Sequence, residues 1–194
     1  MSPQRSNRFR LVEGTLRCLE RLPPERVTAR VIAAESGANV ASIAYHFGSK
    51  DELVTTAVVE GLDRWLAEIA ETLGRIDEIG PTERLHRAAA VIEETRRRHS
   101  GLARNFLGAL ARAQHDHQVR GRLAEGFRRT RPRVARLLGL GLDQAGEDAA
   151  GLIHSMFTGL LFQALLDPDL AIEGRRMTRA QARLREALPR DGSR

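Results

Sequence analysis

The sequence predicts an all-α fold. Apolar residues recur at helical spacing along nearly the whole chain, and no sustained alternating run rich in Val, Ile, Thr and aromatic residues interrupts them. Glycines and prolines fall where they punctuate such helices. With 194 residues and a mass of 21.5 kDa, the chain is long enough for one to two domains and for a core that needs no staple. The single cysteine, Cys18, excludes an intramolecular disulfide, argues against a cysteine metal cluster and fits a reducing cytoplasm. Hydrophobic residues at 42% and charged residues at 29% are a globular composition. No stretch approaches the run of roughly 20 apolar residues that a membrane span needs, and no apolar region follows Met1–Arg10 as a signal peptide requires.

The first helix is predicted from about Arg5 to Leu22, with Phe9, Val12, Leu16 and Leu19 on one face; Pro23 and Pro24 end it. Thr28 is an N-cap candidate for a short helix to Ser36, and Gly37 suits its left-handed C-terminal position. Asn39 caps a second short helix, Val40 to Phe47, which Gly48 breaks. Ser49 then caps a long helix from Lys50 to about Leu73, with Glu52 completing a capping box. Residues 74–81 read as a linker. Helices are expected near Thr82–Arg98, Gly101–Asp116, Gln118–Leu140, Glu147–Leu166 and Arg176–Leu188, with Pro132 kinking the third of these and Pro168 closing the fourth.

Two short helices joined by a Gly-containing turn, after a longer one, form a helix-turn-helix candidate. The third helix needs an inward stripe, and Val40, Ile43 and Phe47 supply it at i, i+3 and i+7, with Ala44 at its edge. Ala41, Ser42 and Tyr45 point the other way and His46 sits between. This small or polar outward set suits approach to base edges in a major groove. With no Arg from Val40 to Phe47, bidentate guanine reading is excluded there, and specificity falls to Ser42, Tyr45, the Ala41 methyl and DNA shape. Arg5, Arg8 and Arg10 are either backbone or minor-groove contacts or plain solvated charge.

The segment from Val27 to Asn39 (VTARVIAAESGAN) and the segment from Ile43 to Leu53 (IAYHFGSKDEL) together resemble the second helix, recognition helix and fourth-helix start of the tetracycline-repressor (TetR) family. The resemblance runs ungapped over about residues 8 to 60. It implies a dimeric transcription regulator, usually a repressor, with an N-terminal DNA-binding domain (1–50), a connecting fourth helix (50–73) and a C-terminal ligand-binding and dimerisation domain (74–194). Carried over by position, it implies that Thr28, Asn39, Tyr45, His46 and Lys50 contact phosphates and that Ala41 and Ser42 face the bases. Each residue also has a plainer role. Thr28 and Asn39 are caps in either case, and a helix N-terminus binds phosphate readily. Tyr45 can pack on the first helix, and His46 is half core. Lys50 opposes the dipole at a helix start, which a phosphate contact would explain. Ala44 departs from the tyrosine or other polar residue that many members carry there, which removes one backbone contact.

The helix near Glu147–Leu166 is apolar almost all round, so it must be covered on both sides, by the core and by a partner subunit or by a monomeric bundle. A symmetric homodimer built from it and the helix before it is expected. His154 and Thr158, at i and i+4 within this helix, either orient a ligand in an apolar pocket or find partners across the dimer. Phe157 stands between them, and Phe106, Leu110, Val91 and Ile92 are further wall candidates, alternatively ordinary core.

Net charge is +6, from 31 Lys plus Arg against 25 Asp plus Glu, which favours a polyanionic or acidic partner. Lys50 is the only lysine, so arginine abundance reads chiefly as the bias of a GC-rich genome. Twelve arginines between Arg96 and Arg136 face only Asp116 and Glu125; a solvated face is the plainer reading, an anionic ligand or DNA backbone the other. His115 and His117, read as helical neighbours at i and i+2, point too far apart to share a metal. No phosphate-binding loop, dinucleotide fingerprint, nucleophile elbow or zincin motif occurs, so no enzyme, cofactor or metal is expected. The expected function is a cytoplasmic, non-membrane regulator that binds a palindromic double-stranded DNA operator as a homodimer and is released by a small-molecule effector. The alternative is a helical small-molecule- or protein-binding dimer with weak or lost operator recognition.

Overall fold

The structure is a computed structural model that describes residues 3–74, 80–96 and 98–187, with side chains described for 7–72, 80, 82–95 and 98–187. The linker residues 75–79 and the side chain of Arg5 lie outside the described residues. The described residues form α1 (Pro3–Arg21), α2 (Ala29–Ser36), α3 (Val40–Phe47), α4 (Lys50–Gly74), α5 (Pro81–Arg96), α6 (Ser100–Arg112), α7 (His117–Leu138), α8 (Gln144–Leu166) and α9 (Gly174–Ala187), with no strand among them.

Local chemistry sets the N-terminal boundaries. The Thr28 hydroxyl accepts from the Val31 amide at 3.3 Å, and the Asn39 carboxamide oxygen accepts from the Ala41 amide at 3.0 Å. Gly37 takes φ +59°, and its amide bonds back to the Ala33 and Ala34 carbonyls. The Ser49 hydroxyl accepts from the Glu52 amide at 3.1 Å. The expected capping box is only half made, because the Glu52 carboxylate turns instead to Arg122 on α7.

Three more expectations need correction. Phe9 is 56% exposed. The buried stripe of α1 is Leu11, Val12, Thr15, Cys18 and Leu19, and Phe9 falls about 120° from its centre at 3.6 residues per turn. Val40 is 43% exposed, since it opens α3 outside the cluster that holds Ile43 and Phe47. Asp116 is not inside α6: it is the N-cap of α7, accepting from the Gln118 and Val119 amides at 2.9 and 3.1 Å. His115 and His117 therefore flank a helix start rather than sharing one helix. Pro132 lies within α7, which runs on through it to Leu138.

α1 packs against α2, α3, α4 and α6, while α4 runs on to meet α5 and α7, and α7 meets α8. One hydrophobic cluster extends from α1–α4 into α6 and the start of α7, through Leu102, Phe106, Val119 and Leu123. A second gathers around Trp65 and Ile69 of α4 with α5, the end of α7 and α8. The α1–α6 crossing is close: a Cβ on Gly101 would stand 2.0 Å from the Leu19 carbonyl oxygen. α8 also passes the length and composition test for a membrane span, with a mean hydropathy of 1.5. This corrects the expectation that no stretch comes near a span; α8 interleaves Leu, Phe and Met with Gly, Ser, Thr and His, so its apolar character shows in the mean and not as one run.

Candidate functional site

α3 presents Ala41, Ala44 and Tyr45 to solvent, with Ser42 and His46 half-buried beside them. Tyr45 is 72% exposed, and its ring meets that of His46 edge-on at 4.8 Å. Exposure on this scale excludes packing against α1 as the role of Tyr45. Beneath the surface, Ile43 and Phe47 anchor the helix, and the Arg8 guanidinium lies over the Phe47 ring at 5.2 Å.

Ion pairs hold this unit in register. Arg17 meets Glu35 at 2.7 Å and Arg21 meets it at 2.5 Å, tying α1 to α2; the bond from Arg17 draws the Glu35 carboxyl below its ordinary pKa. Arg64 of α4 clasps Glu13 of α1, again lowering the carboxylate. Arg10 donates to the Ser36 carbonyl at 3.1 Å and to that of Gly37, so it caps the C-terminal end of α2. This gives Arg10 an internal role apart from any nucleic acid. Lys50 pairs with Asp51 at 2.9 Å, which offsets its unfavourable place at the start of α4.

A cavity of about 160 Å³ lies between α4, α5, α6, α7 and α8. His154, Phe157, Thr158 and Phe106 line it, as does Ile92. Leu110 does not: it lies one turn beyond Phe106 on α6, partly buried against the N-terminal cluster. Val91 packs against the second cluster without reaching the cavity wall. Trp65, Asp63 and Phe127 also line it and were missed, because nothing local in sequence brings α4 and α7 to α8. Trp65 is fixed by its indole N–H, which donates to the Thr95 hydroxyl at 2.7 Å, and by the His99 ring at 4.7 Å. Asp63 is held by Arg129 at 2.5 Å and Arg133 at 3.2 Å. The His154 ring lies 5.1 Å from Phe127. Burial holds His154 below the ordinary imidazole pKa, and the Arg131 charge adds to this. Ser155 and Gln163 of the same helix are exposed.

Much of the arginine-rich segment is internally paired: Arg98 with Glu68, Arg122 with Glu52, Arg128 with Glu125, and Arg129 and Arg133 with Asp63. Arg120 donates to the Ala113 and Gln114 carbonyls, both at 2.8 Å. Among the described residues, no group of three or more His, Cys, Asp or Glu could hold a metal ion.

Residues 11–57, the span from α1 to the first turns of α4, match the model of bacterial regulatory proteins of the tetR family. The N-terminal unit is thus similar to the tetR-family domain. The whole chain has the fold of TetR-type regulators. It is similar to a putative transcriptional regulator from Pseudomonas aeruginosa PAO1 (20% identity, TM-score 0.65, covering 96% of this chain and 92% of that one). It is also similar to a putative transcriptional regulator from Saccharomonospora viridis in complex with choline (21%, 0.58, 82% and 85%). A third similar structure is SmeT bound to triclosan (21%, 0.56, 96% and 93%); SmeT is the repressor of a Stenotrophomonas maltophilia multidrug efflux pump. No curated protein sequence matches the chain significantly. The TetR-type unit is thus joined to an all-helical body that carries an apolar cavity.

Proposed function

We propose that the protein is a homodimeric transcriptional repressor of the cytoplasm that leaves a palindromic operator when a small molecule enters the α4–α8 cavity. The observation that carries this reading is the pairing of a TetR-type α3 surface with an aromatic cavity through one continuous helix, α4, which has Lys50 at one end and Trp65 on the cavity wall. Residues 1–50 would bind DNA, 50–73 connect and 74–194 bind the ligand and the partner subunit. Thr28, Asn39, Tyr45, His46 and Lys50 would meet phosphates, with Ala41 and Ser42 on the bases. Choline and triclosan in similar structures support a ligand-binding role for the cavity.

Dimerisation is supported by apolar surface left open on α8. Leu152 is 75% and Leu166 81% exposed. The seam is proposed on α8 with the helix before it, α7, whose outward face is arginine-rich; Leu184 of α9, 53% exposed, is further open apolar surface. Two-fold symmetry would place the recognition helices in successive major grooves about 34–36 Å apart. A coupling of about 1–3 kcal/mol would weaken operator binding roughly 5- to 150-fold on ligand binding.

The test is fluorescence anisotropy of the dimer on DNA flanking its own gene against scrambled DNA over a salt series. A preference of at least about 10³ for the flanking DNA is expected. Equal, steeply salt-dependent binding to both, persisting through an unbiased genomic selection, would leave only a phosphate term. It would favour the second reading, a helical ligand- or protein-binding dimer with lost operator recognition. The exposed Ala44 and an α3 without arginine are the observations on that side.

A further inference from the structure

The cavity wall is nearly all carbon, with Trp65, Phe106, Phe127 and Phe157 supplying aromatic faces. Its polar groups are mostly satisfied. The Trp65 indole donates to Thr95, the Thr130 hydroxyl donates to the Gly126 carbonyl at 2.8 Å, and Asp63 is held by two arginines. His154 stands apart, on the same face as Thr158 one turn on: its Nδ1 is buried and has no hydrogen-bond partner among the described residues. A buried polar atom left unbonded costs about 1–3 kcal/mol, so the position is stabilised by whatever bonds it.

The chemistry of that occupant follows from three constraints. An empty apolar cavity of about 150 Å³ accommodates benzene, so a volume of about 160 Å³ fits a single ring. Charge is disfavoured: for a cation, Asp63 is already paired with two arginines and Arg131 adds positive potential near His154; for an anion, the nearly all-carbon wall leaves the ion without hydrogen-bond donors. The polar group must serve an imidazole nitrogen in either tautomer, and a hydroxyl does so because it both donates and accepts. We propose that the cavity binds an uncharged monocyclic aromatic alcohol of the phenol class, its ring among Trp65, Phe106, Phe127 and Phe157 and its hydroxyl on His154 Nδ1. Phe157, Leu161 and Ile92 also line a wider groove of about 800 Å³ between α5, α8 and α9, so they form the wall between the two spaces.

This inference rests on the effector reading above, and its test separates the two. Trp65 is the only tryptophan and lies on the wall, so its fluorescence reports occupancy directly. The full-length protein is titrated with phenol, toluene and benzyltrimethylammonium. Phenol should give a saturable change, toluene should bind at least about tenfold more weakly, and the cation should give none. His154→Phe should bring phenol and toluene together, with helicity checked by circular dichroism; the wild-type ratio needs no variant. Toluene equalling phenol in the wild type, the cation binding better than phenol, or no saturable response to phenol would overturn the proposal. Phenol is then added to the operator complex. Binding at Trp65 without DNA release would keep the cavity chemistry and defeat the effector reading; release by some other compound with no phenol response would do the reverse.

Discussion

Arg122 of α7 donates through Nε to the carboxylate of Glu52, which is buried near the start of α4. Glu52 stands two residues after Lys50, and Arg122 precedes Leu123 of the cavity wall. The ion pair thus ties the wall to the end of α4 that adjoins α3. Among the described residues the other carboxylate oxygen of Glu52 is buried without a partner, and Arg122 is the charge that compensates it. Arg122→Met should destabilise the protein by about 1–3 kcal/mol in urea unfolding, through a buried carboxylate left unpaired. Glu52→Gln combined with Arg122→Met should cost less than the sum of the two, and strict additivity would show that the pair contributes nothing.

The α3 surface separates DNA contact from stability. Tyr45→Ala and Lys50→Ala remove exposed groups, so unfolding free energy should change by no more than about 0.5 kcal/mol. DNA affinity should fall in both. Lys50→Ala should also reduce the slope of log K against log salt by about 1, as expected for one lost phosphate contact. An unchanged slope would mean that the Asp51 pair is the whole role of Lys50.

Gly101 fixes how closely α6 crosses α1. A Cβ there meets backbone, the Leu19 carbonyl oxygen and carbon, which no side-chain rotation can relieve. Gly101→Ala should cost about 1–3 kcal/mol or more. It should also weaken ligand binding, because Phe106 rides on the same helix. A variant with wild-type melting behaviour would show that the helices separate freely.

How legible each feature was depended on the range of the interaction behind it. Thr28, Gly37, Asn39 and Ser49 act within three or four residues, so the boundaries of α2, α3 and the start of α4 followed from the sequence. The burial of Val40 depends on what stands beyond the helix end, which spacing does not contain. Phe9 was placed by a stripe drawn too wide for α1, and Asp116 was lost in a segment whose arginine runs hide a break. The cavity was half legible: His154, Phe157 and Thr158 share one helix turn, but Trp65, Asp63 and Phe127 join them only through tertiary packing of α4 and α7. The partners of Arg10, Arg122 and Arg129 are likewise long-range, so a charge count could not tell paired arginines from free ones.

The dimer seam can be broken at a point remote from both sites. Leu152 is exposed on α8 and does not line the cavity. Leu152→Glu should leave the monomer folded and shift the sedimenting species from dimer to monomer, since a charge buried at an apolar interface is unpaired. Operator affinity should drop with it, because one recognition helix reads only a half-site. A Leu152→Glu protein that still sediments as a dimer would move the seam elsewhere.

His154 sets a pH dependence whose sign is fixed. Burial, aided by Arg131, holds its folded-state pKa below the ordinary 6.5. The unfolded chain therefore takes up a proton first as pH falls through about 6.5, and the folded state does so only at lower pH. Stability is full above that value, declines between the two pKa values and levels off below the folded one. This window is distinct from that of Glu13 and Glu35, whose folded pKa values lie below 4.5 and whose contributions are lost only in stronger acid. Thermal melts between pH 7.5 and pH 5.5 should show Tm falling by a few degrees, on the order of the 2–4 °C expected per kcal/mol for a chain of this size. His154→Phe should remove that part of the slope and leave the acid limb in place. A wild-type slope unchanged in His154→Phe would mean that the imidazole is solvated, and the partnerless Nδ1 would then have no claim on a ligand.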